Sequence, residues 1–161
     1  MAIEDNTRQP RPAHNYVPEY QQSGIPWVKT IILPALDVTN DGAENAVINN
    51  LESYKVSFDF ITRWFLIHNH DDEEKTNIRI YFNQTAASTA RKDSANQDPH
   101  YYLCDIEEVL PRLETKCKYM YLIPTTAGKT PMVSLIAGLT NIRSLDFPDQ
   151  TSDNGFTGVE N

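Results

Sequence analysis

The stretch Val56-Ser57-Phe58-Asp59-Phe60-Ile61-Thr62-Arg63-Trp64-Phe65-Leu66-Ile67 decides which kind of fold this chain adopts. From Val56 to Phe60 large apolar residues alternate with polar ones, which is typical of a β-strand with one buried face. The run from Ile61 to Ile67 is then almost continuously apolar, with Arg63 as its only charge. We therefore predict strand structure throughout this stretch.

The same period of two recurs along the chain. Ile78, Ile80 and Phe82 alternate with their neighbours, and the segment 112–123 alternates apolar and charged residues, so its charged face is predicted to point away from the core. Further strands are predicted at residues 25–33, 101–105 and 132–137. Together the apolar phases predict a core that consists mainly of Phe58, Phe60, Trp64, Ile78, Ile80, Phe82, Tyr119 and Tyr121.

Helical patterns are scarce, and the strands are separated by polar loops. This order excludes a parallel α/β sheet and favours an antiparallel sandwich or barrel. Eight strands in a body at residues 25–145 fit an all-β single jelly roll. Residues 1–24 contain three prolines among polar residues and predict a flexible extended arm, while residues 146–161 predict a polar, acidic tail.

Composition excludes several classes of function. The chain has 161 residues, which suits one domain. Its formal net charge of −8 disfavours a nucleic-acid partner. It has no apolar run of membrane-spanning length and no signal-peptide pattern at the N-terminus, so we expect a soluble protein without direct membrane insertion. Its two cysteines, Cys104 and Cys117, are expected to be reduced.

Two histidines and an acidic run follow the quoted stretch. The spacing of His68, His70 and Glu74 resembles the first metal motif of cupins, because alternate residues of a strand point two imidazoles to one side. The chain departs from that motif, since Thr62 and Tyr81 stand where cupins have glycines and no histidine follows His100. We therefore expect a solvated strand end with no cofactor, and a cupin-type metal site is the less favoured alternative.

The sequence offers no recognisable nucleophile set. Cys104 and His100 lie on one short segment, with no residue indicated that would orient the imidazole. We accordingly predict that the protein is not an enzyme. A carbohydrate-binding or host-attachment jelly roll, which would use exposed aromatic residues in its loops, stays open as an alternative.

Four strand blocks, taken in order, resemble the single-jelly-roll penton protein of large icosahedral double-stranded DNA viruses. The blocks are Ile61–Asn69, Asn77–Asn83, Arg112–Leu122 and Val133–Ile142. In that family a hairpin with an Ile-Arg-Ile-x-Phe strand precedes a charged-faced strand and a closing Ala-Gly-Leu-Thr segment. The most specific matches are Ile78–Asn83 and Ala137–Ile142, whereas the acidic turn Asp71–Lys75 and the loop Thr85–Pro99 have no counterpart.

The resemblance implies a structural role, in which five copies form a homopentamer that closes an icosahedral vertex. It also implies major and minor capsid proteins as neighbours, and a location at the capsid vertex of the virion after synthesis in the host cytoplasm. The arm at residues 1–24 would gain order on those neighbours. A ring of identical subunits joins two different sides of each subunit. The candidate intersubunit contacts are the charged residues Arg112, Glu114, Lys116, Lys118, Asp71, Asp72, Glu73 and Glu74.

Overall fold

The computed structural model describes residues 24–39, 47–70, 76–88 and 101–147. Its helical pieces are α1 (Gln84–Ser88) and two 3-10 helices at Leu51–Tyr54 and Ser144–Asp146. Nearly all of the predicted arm and tail lies outside the described residues. In this described part the strands are β1 (Ile25–Ile32), β2 (Val38–Thr39), β3 (Val47–Ile48), β4 (Lys55–Ser57), β5 (Phe60–Asn69), β6 (Ile78–Tyr81), β7 (Tyr102–Cys104), β8 (Tyr119–Pro124) and β9 (Met132–Arg143).

Seven of these strands form two antiparallel sheets. The front sheet has the order β1-β9-β5, and the back sheet has the order β4-β8-β6-β7. Strands β2 and β3 pair separately as a short antiparallel ladder. The segment 109–113 extends the front sheet beyond β5, because Leu113 bridges Phe65 and Val109 bridges His68, both in antiparallel sense.

The strand pairs are nested along the chain. The outermost pair joins β1 to β9, and the next pair joins β4 to β8. Inside them, β5 contacts the segment 109–113, and β6 pairs with β7. Each pair therefore encloses the next, as in one long hairpin that has been folded over on itself.

The main core lies between the two sheets. Phe65, Ile67, Val133 and Leu135 enter it from the front sheet, and all four are fully buried. The back sheet contributes a matching set, in which every side chain is at most 3% exposed: Val56, Ile78, Ile80, Cys104, Met120 and Leu122. Two antiparallel sheets packed around one apolar layer make an all-β sandwich, so the predicted all-β antiparallel sandwich is confirmed.

A second core covers the far side of the back sheet. Tyr81, Tyr121 and Ile123 point away from the front sheet and are fully buried. The side chains that cover them come from the chain segments before β4 and after β6, and they are Leu36, Ile48, Tyr54, Ala86 and Ala87. The hydroxyl of Tyr54 donates to the carbonyl oxygen of Ala35 at 2.6 Å, which fastens this cover to the preceding segment. The back sheet is thus buried on both faces by its own chain.

The predicted core is corrected at Trp64. Two register shifts between β5 and β9 fall between Phe60 and Trp64, and after them the buried side chains are Phe65 and Ile67 rather than the even-numbered residues. A β-bulge adds a residue and so moves all later side chains to the opposite face. Trp64 therefore lies outside the core and is only half-buried.

The other predicted core residues divide between two layers. Phe58, Ile78 and Ile80 are buried between the sheets, and Phe60 and Phe82 pack partly buried against them. Tyr121 is buried and Tyr119 half-buried in the second core, so both lie on the far face of the back sheet. Met120 and Leu122 occupy the face between the sheets that was predicted for the tyrosines.

The predicted strand at 112–123 is also shorter than expected. Leu113 belongs to the front sheet, whereas β8 begins only at Tyr119 and belongs to the back sheet. The residues between them carry the chain from one sheet to the other, which ends the ladder. The hydroxyl of Thr62 holds this crossing, because it accepts from the amide of Cys117 at 2.9 Å and donates to the carbonyl of Thr115 at 2.7 Å.

Candidate functional site

The most distinctive surface of the described chain is the far side of the front sheet, which we call the exposed face. It consists of the outward residues of three neighbouring strands. Its apolar side chains are unusually exposed, with Ile32 at 72%, Val28 at 68%, Met132 at 43% and Ile136 at 39%. The outward residues in full are Pro26, Val28, Thr30, Ile32, Trp64, Leu66, His68, His70, Met132, Ser134 and Ile136.

Strand register arranges these residues in rows across the sheet. Ile136 lies directly opposite Val28 on one side and Leu66 on the other, so the three residues form an apolar row. The next row is polar, with Thr30 and His68 on either side of Ser134. The hydroxyls of Thr30 and Ser134 lie 2.8 Å apart and share a hydrogen bond. The exposed face therefore alternates apolar and uncharged polar rows, which suits contact with a protein surface.

The two histidines lie side by side at one end of this face. The ring centroids of His68 and His70 are 3.8 Å apart, so the sequence prediction that their imidazoles share one side is confirmed. Nε2 of His70 is 2.7 Å from Oγ of Ser134. Partial desolvation lowers the pKa of His68, and the neighbouring charge of His70 lowers it further, which favours the neutral ring.

The proposed third metal ligand, Glu74, lies outside the described residues. Within residues 24–39, 47–70, 76–88 and 101–147, no three His, Cys, Asp or Glu side chains are grouped so as to hold a metal ion. The structure thus brings His68 and His70 together and leaves the acidic run Asp71–Glu74 undescribed.

A small charged group borders the exposed face at Trp64. The guanidinium of Arg112 lies 5.5 Å from the centre of the Trp64 ring, in a cation–π contact. The same guanidinium pairs with the Glu114 carboxylate at 2.6 Å, and Arg63 approaches that carboxylate at 3.8 Å. Two of the predicted intersubunit charges, Arg112 and Glu114, therefore contact each other within one subunit.

The two lysines of the same segment differ from each other. Lys116 is exposed, as the charged side of an amphipathic segment should be. Lys118 is half-buried, and its ammonium group donates to the carbonyl oxygen of Phe147 at 3.4 Å. Lys118 thus ties the end of the described chain to the segment that enters β8, a structural role within the subunit.

Both cysteines are free and buried, as predicted for reduced thiols. Burial raises the pKa of the Cys117 thiol to about 12 and that of Cys104 to about 11. A nucleophilic cysteine needs a lowered pKa and access to solvent. Neither thiol is therefore suited to nucleophilic catalysis.

Sequence reasoning missed the exposed face, although its strands were predicted. The available signal was that both phases of β1 are apolar, since Trp27 and Ile31 pack against the core while Val28 and Ile32 point outward. A strand at the surface of a sandwich normally alternates apolar and polar residues. Apolar residues in both phases of β1 therefore predict an outer face with apolar side chains.

Comparisons with known proteins return no relatives. No family model matches the chain, and no curated protein or solved structure is significantly similar to it. Among the described residues, no helix has the length and apolar character needed to cross a membrane.

Proposed function

We propose that this protein is a structural component of an icosahedral double-stranded DNA virus, in which five copies form a ring at each five-fold vertex. The capsid role rests on the resemblance of four strand blocks to the penton family. The most specific matches coincide with β6 and the second half of β9, which are central strands of the two sheets. The resemblance therefore involves the interior of the sandwich.

The nested pairing of strands is the observation that supports a jelly-roll fold in this proposal. If the segment 109–113 is counted with the front sheet, the sandwich has two four-stranded sheets with the orders β1-β9-β5-(109–113) and β4-β8-β6-β7. A jelly roll contains eight strands arranged as two Greek keys. Nesting of the first strand with the last, and of each inner pair in turn, is the order that such a rolled hairpin produces.

The chemistry of the described residues is consistent with a scaffold protein. Both thiols have raised pKa values, and the Arg112–Glu114 pair joins two exposed side chains of the surface. A ring subunit instead needs two complementary sides and contacts with the surrounding shell. In this proposal the neighbours are major and minor capsid proteins, and residues 1–24 reach them as an arm.

Electron microscopy of the virion is the direct test of this proposal. We expect density for the sandwich at the five-fold axes, and native mass spectrometry of the concentrated protein should give a pentamer. A position away from the five-fold axes would overturn the proposal. So would a closed ring of a different size.

A second candidate function, divalent metal binding, is favoured by the 3.8 Å approach of the His68 and His70 rings. Elemental analysis of the purified protein distinguishes the two functions. Under the capsid proposal, the double variant His68→Ala/His70→Ala folds like the parent protein, and neither protein contains stoichiometric metal. Stoichiometric metal in the parent protein that is lost in this variant would establish the metal site instead.

A further inference from the structure

We infer that the exposed face of the front sheet binds a second copy of this chain. This inference rests on the proposed function and deepens it, because it assigns one of the two sides through which subunits of the ring meet. Three properties of the described residues support it: the unequal covering of the two sheets, the local charge, and the character of the edge strand.

The covering of the two sheets is unequal. The far side of the back sheet is buried beneath side chains from its own chain, including Tyr54, Ile48 and Leu36. On the far side of the front sheet, Val28 and Ile32 keep 68% and 72% of their surface in contact with solvent. The largest apolar patch on a protein surface is often a functional one, and these exposed aliphatic side chains cluster on a single face.

The charge of the exposed face indicates which kind of molecule binds there. The chain carries a net charge of −8, so two copies repel each other unless they meet at a neutral or positive surface. The exposed face meets this requirement, because its outward residues have aliphatic, aromatic, hydroxyl or imidazole side chains. A neutral face lets another acidic copy approach without this repulsion, and it lacks the Lys and Arg side chains that a nucleic acid would require.

The edge of the front sheet favours contact through the face. Strand β1 lies at that edge, where an unpaired backbone could add a strand from a neighbour. Lys29 is exposed at this edge. It lies on the same side of β1 as Trp27 and Ile31, which is the side that faces the core. A charge on the inward phase of an edge strand opposes edge-to-edge pairing. Association through side chains of the exposed face leaves Lys29 on the opposite side of β1 in contact with solvent.

The size of the face predicts weak association. With a strand rise of about 3.4 Å and a strand spacing of about 4.8 Å, the rows from Pro26 to Ile32 span a patch of roughly 300 Å². A stable contact buries about 800 Å² on each partner. The face therefore supplies less than half of such a contact. We expect isolated subunits to associate only at high concentration, with neighbouring residues such as Val109, which is 52% exposed, adding to the contact.

The test compares substitutions on and off the exposed face in the full chain. The first variant is Val28→Asp/Ile136→Asp, which places two carboxylates in one apolar row. The second is Val28→Thr/Ile136→Thr, which removes apolar surface but keeps residues that favour strands. The control is Leu145→Asp, because Leu145 is 84% exposed and lies in the 3-10 helix after β9. Circular dichroism and thermal melting confirm that each variant is folded.

Sedimentation velocity and native mass spectrometry over a wide concentration range provide the readout. We expect the parent protein and Leu145→Asp to associate alike, and Val28→Asp/Ile136→Asp to raise the dissociation constant by about tenfold or more. The Thr variant should lie between them. Equal association of all four proteins would overturn the surface assignment and leave the ring proposal standing.

Other outcomes separate the two proposals. Association through this face into dimers or trimers would support the surface assignment and overturn the pentameric ring. If the parent protein stays monomeric at every concentration, self-association through this face is overturned. In that case the position of the chain in the virion decides the proposed function independently.

Discussion

The front and back sheets of this sandwich share one core but differ in what covers their other faces. The back sheet buries Tyr81, Tyr121 and Ile123 beneath its own chain. The front sheet leaves Val28 and Ile32 exposed to solvent. The stability of the subunit therefore comes mainly from the layers on both sides of the back sheet. The outer side of the front sheet is exposed, and we propose that it serves self-association.

The largest expected effect separates the two sides of one strand. Phe65 is fully buried between the sheets, whereas its neighbour Trp64 is half-buried on the exposed face. Phe65→Ala should lower the free energy of unfolding by about 3–5 kcal/mol, since it leaves a cavity in the main core. Trp64→Ala should lower it by less than half as much. Urea denaturation measures both variants, and equal losses would contradict the strand phase described here.

Much of the fold follows from the sequence, because alternation identifies strands without reference to their partners. Ile78 and Ile80 are core residues as predicted, and the all-β class is correct. The phase of β5 after Phe60 could not be predicted, since a bulge depends on how β5 meets β9. The exposed face was missed for a related reason. In the sequence, Val28 and Ile32 are typical strand residues. Only the pairing of β1 with β9 shows that they lie on the outer side of the front sheet.

A second prediction concerns the interior that both sheets share. Burial raises the pKa of Cys117 to about 12, from an ordinary value of about 9 in the unfolded chain. Above pH 9 unfolding therefore releases a proton, and the free energy of unfolding falls as the pH rises toward 12. For one proton the slope is about 1.4 kcal/mol per pH unit.

The matched control for this pH dependence is Cys117→Ala. The variant should show a shallower decline in stability above pH 9 than the parent protein, while Cys104, whose pKa is also raised, keeps part of the decline in both. Thermal melting at a series of pH values measures the difference. Identical slopes would show that the Cys117 thiol is accessible to water in the folded protein.

A third prediction compares two hydroxyls on β9. The Thr140 hydroxyl is fully buried, donates to the carbonyl of Ile61 at 2.9 Å and accepts from the amide of Ile142 at 3.2 Å. Thr140→Val leaves both backbone groups without this partner and should cost about 1–3 kcal/mol. Ser134 lies on the exposed face, where water replaces its hydrogen bonds, so Ser134→Ala should change stability by less than about 0.5 kcal/mol. Chemical denaturation of both variants tests this, and a large loss for Ser134→Ala would mean that the exposed face is shielded from water within one subunit.

The smallest effects are expected for two tyrosines in the cover of the back sheet. The hydroxyl of Tyr54 donates to Ala35 and accepts from the amide of Asp37 at 3.1 Å, so Tyr54→Phe should cost about 1 kcal/mol. The hydroxyl of Tyr121 is buried, and in the described part of the chain it has no hydrogen-bond partner. Removing this hydroxyl breaks no hydrogen bond and removes the cost of burying an unpaired polar group. Tyr121→Phe should therefore leave stability unchanged or raise it slightly. Thermal melting of the two variants side by side is the measurement. An equal loss of stability in Tyr121→Phe and Tyr54→Phe would contradict this expectation. It would mean that the Tyr121 hydroxyl has a hydrogen-bond partner in solution.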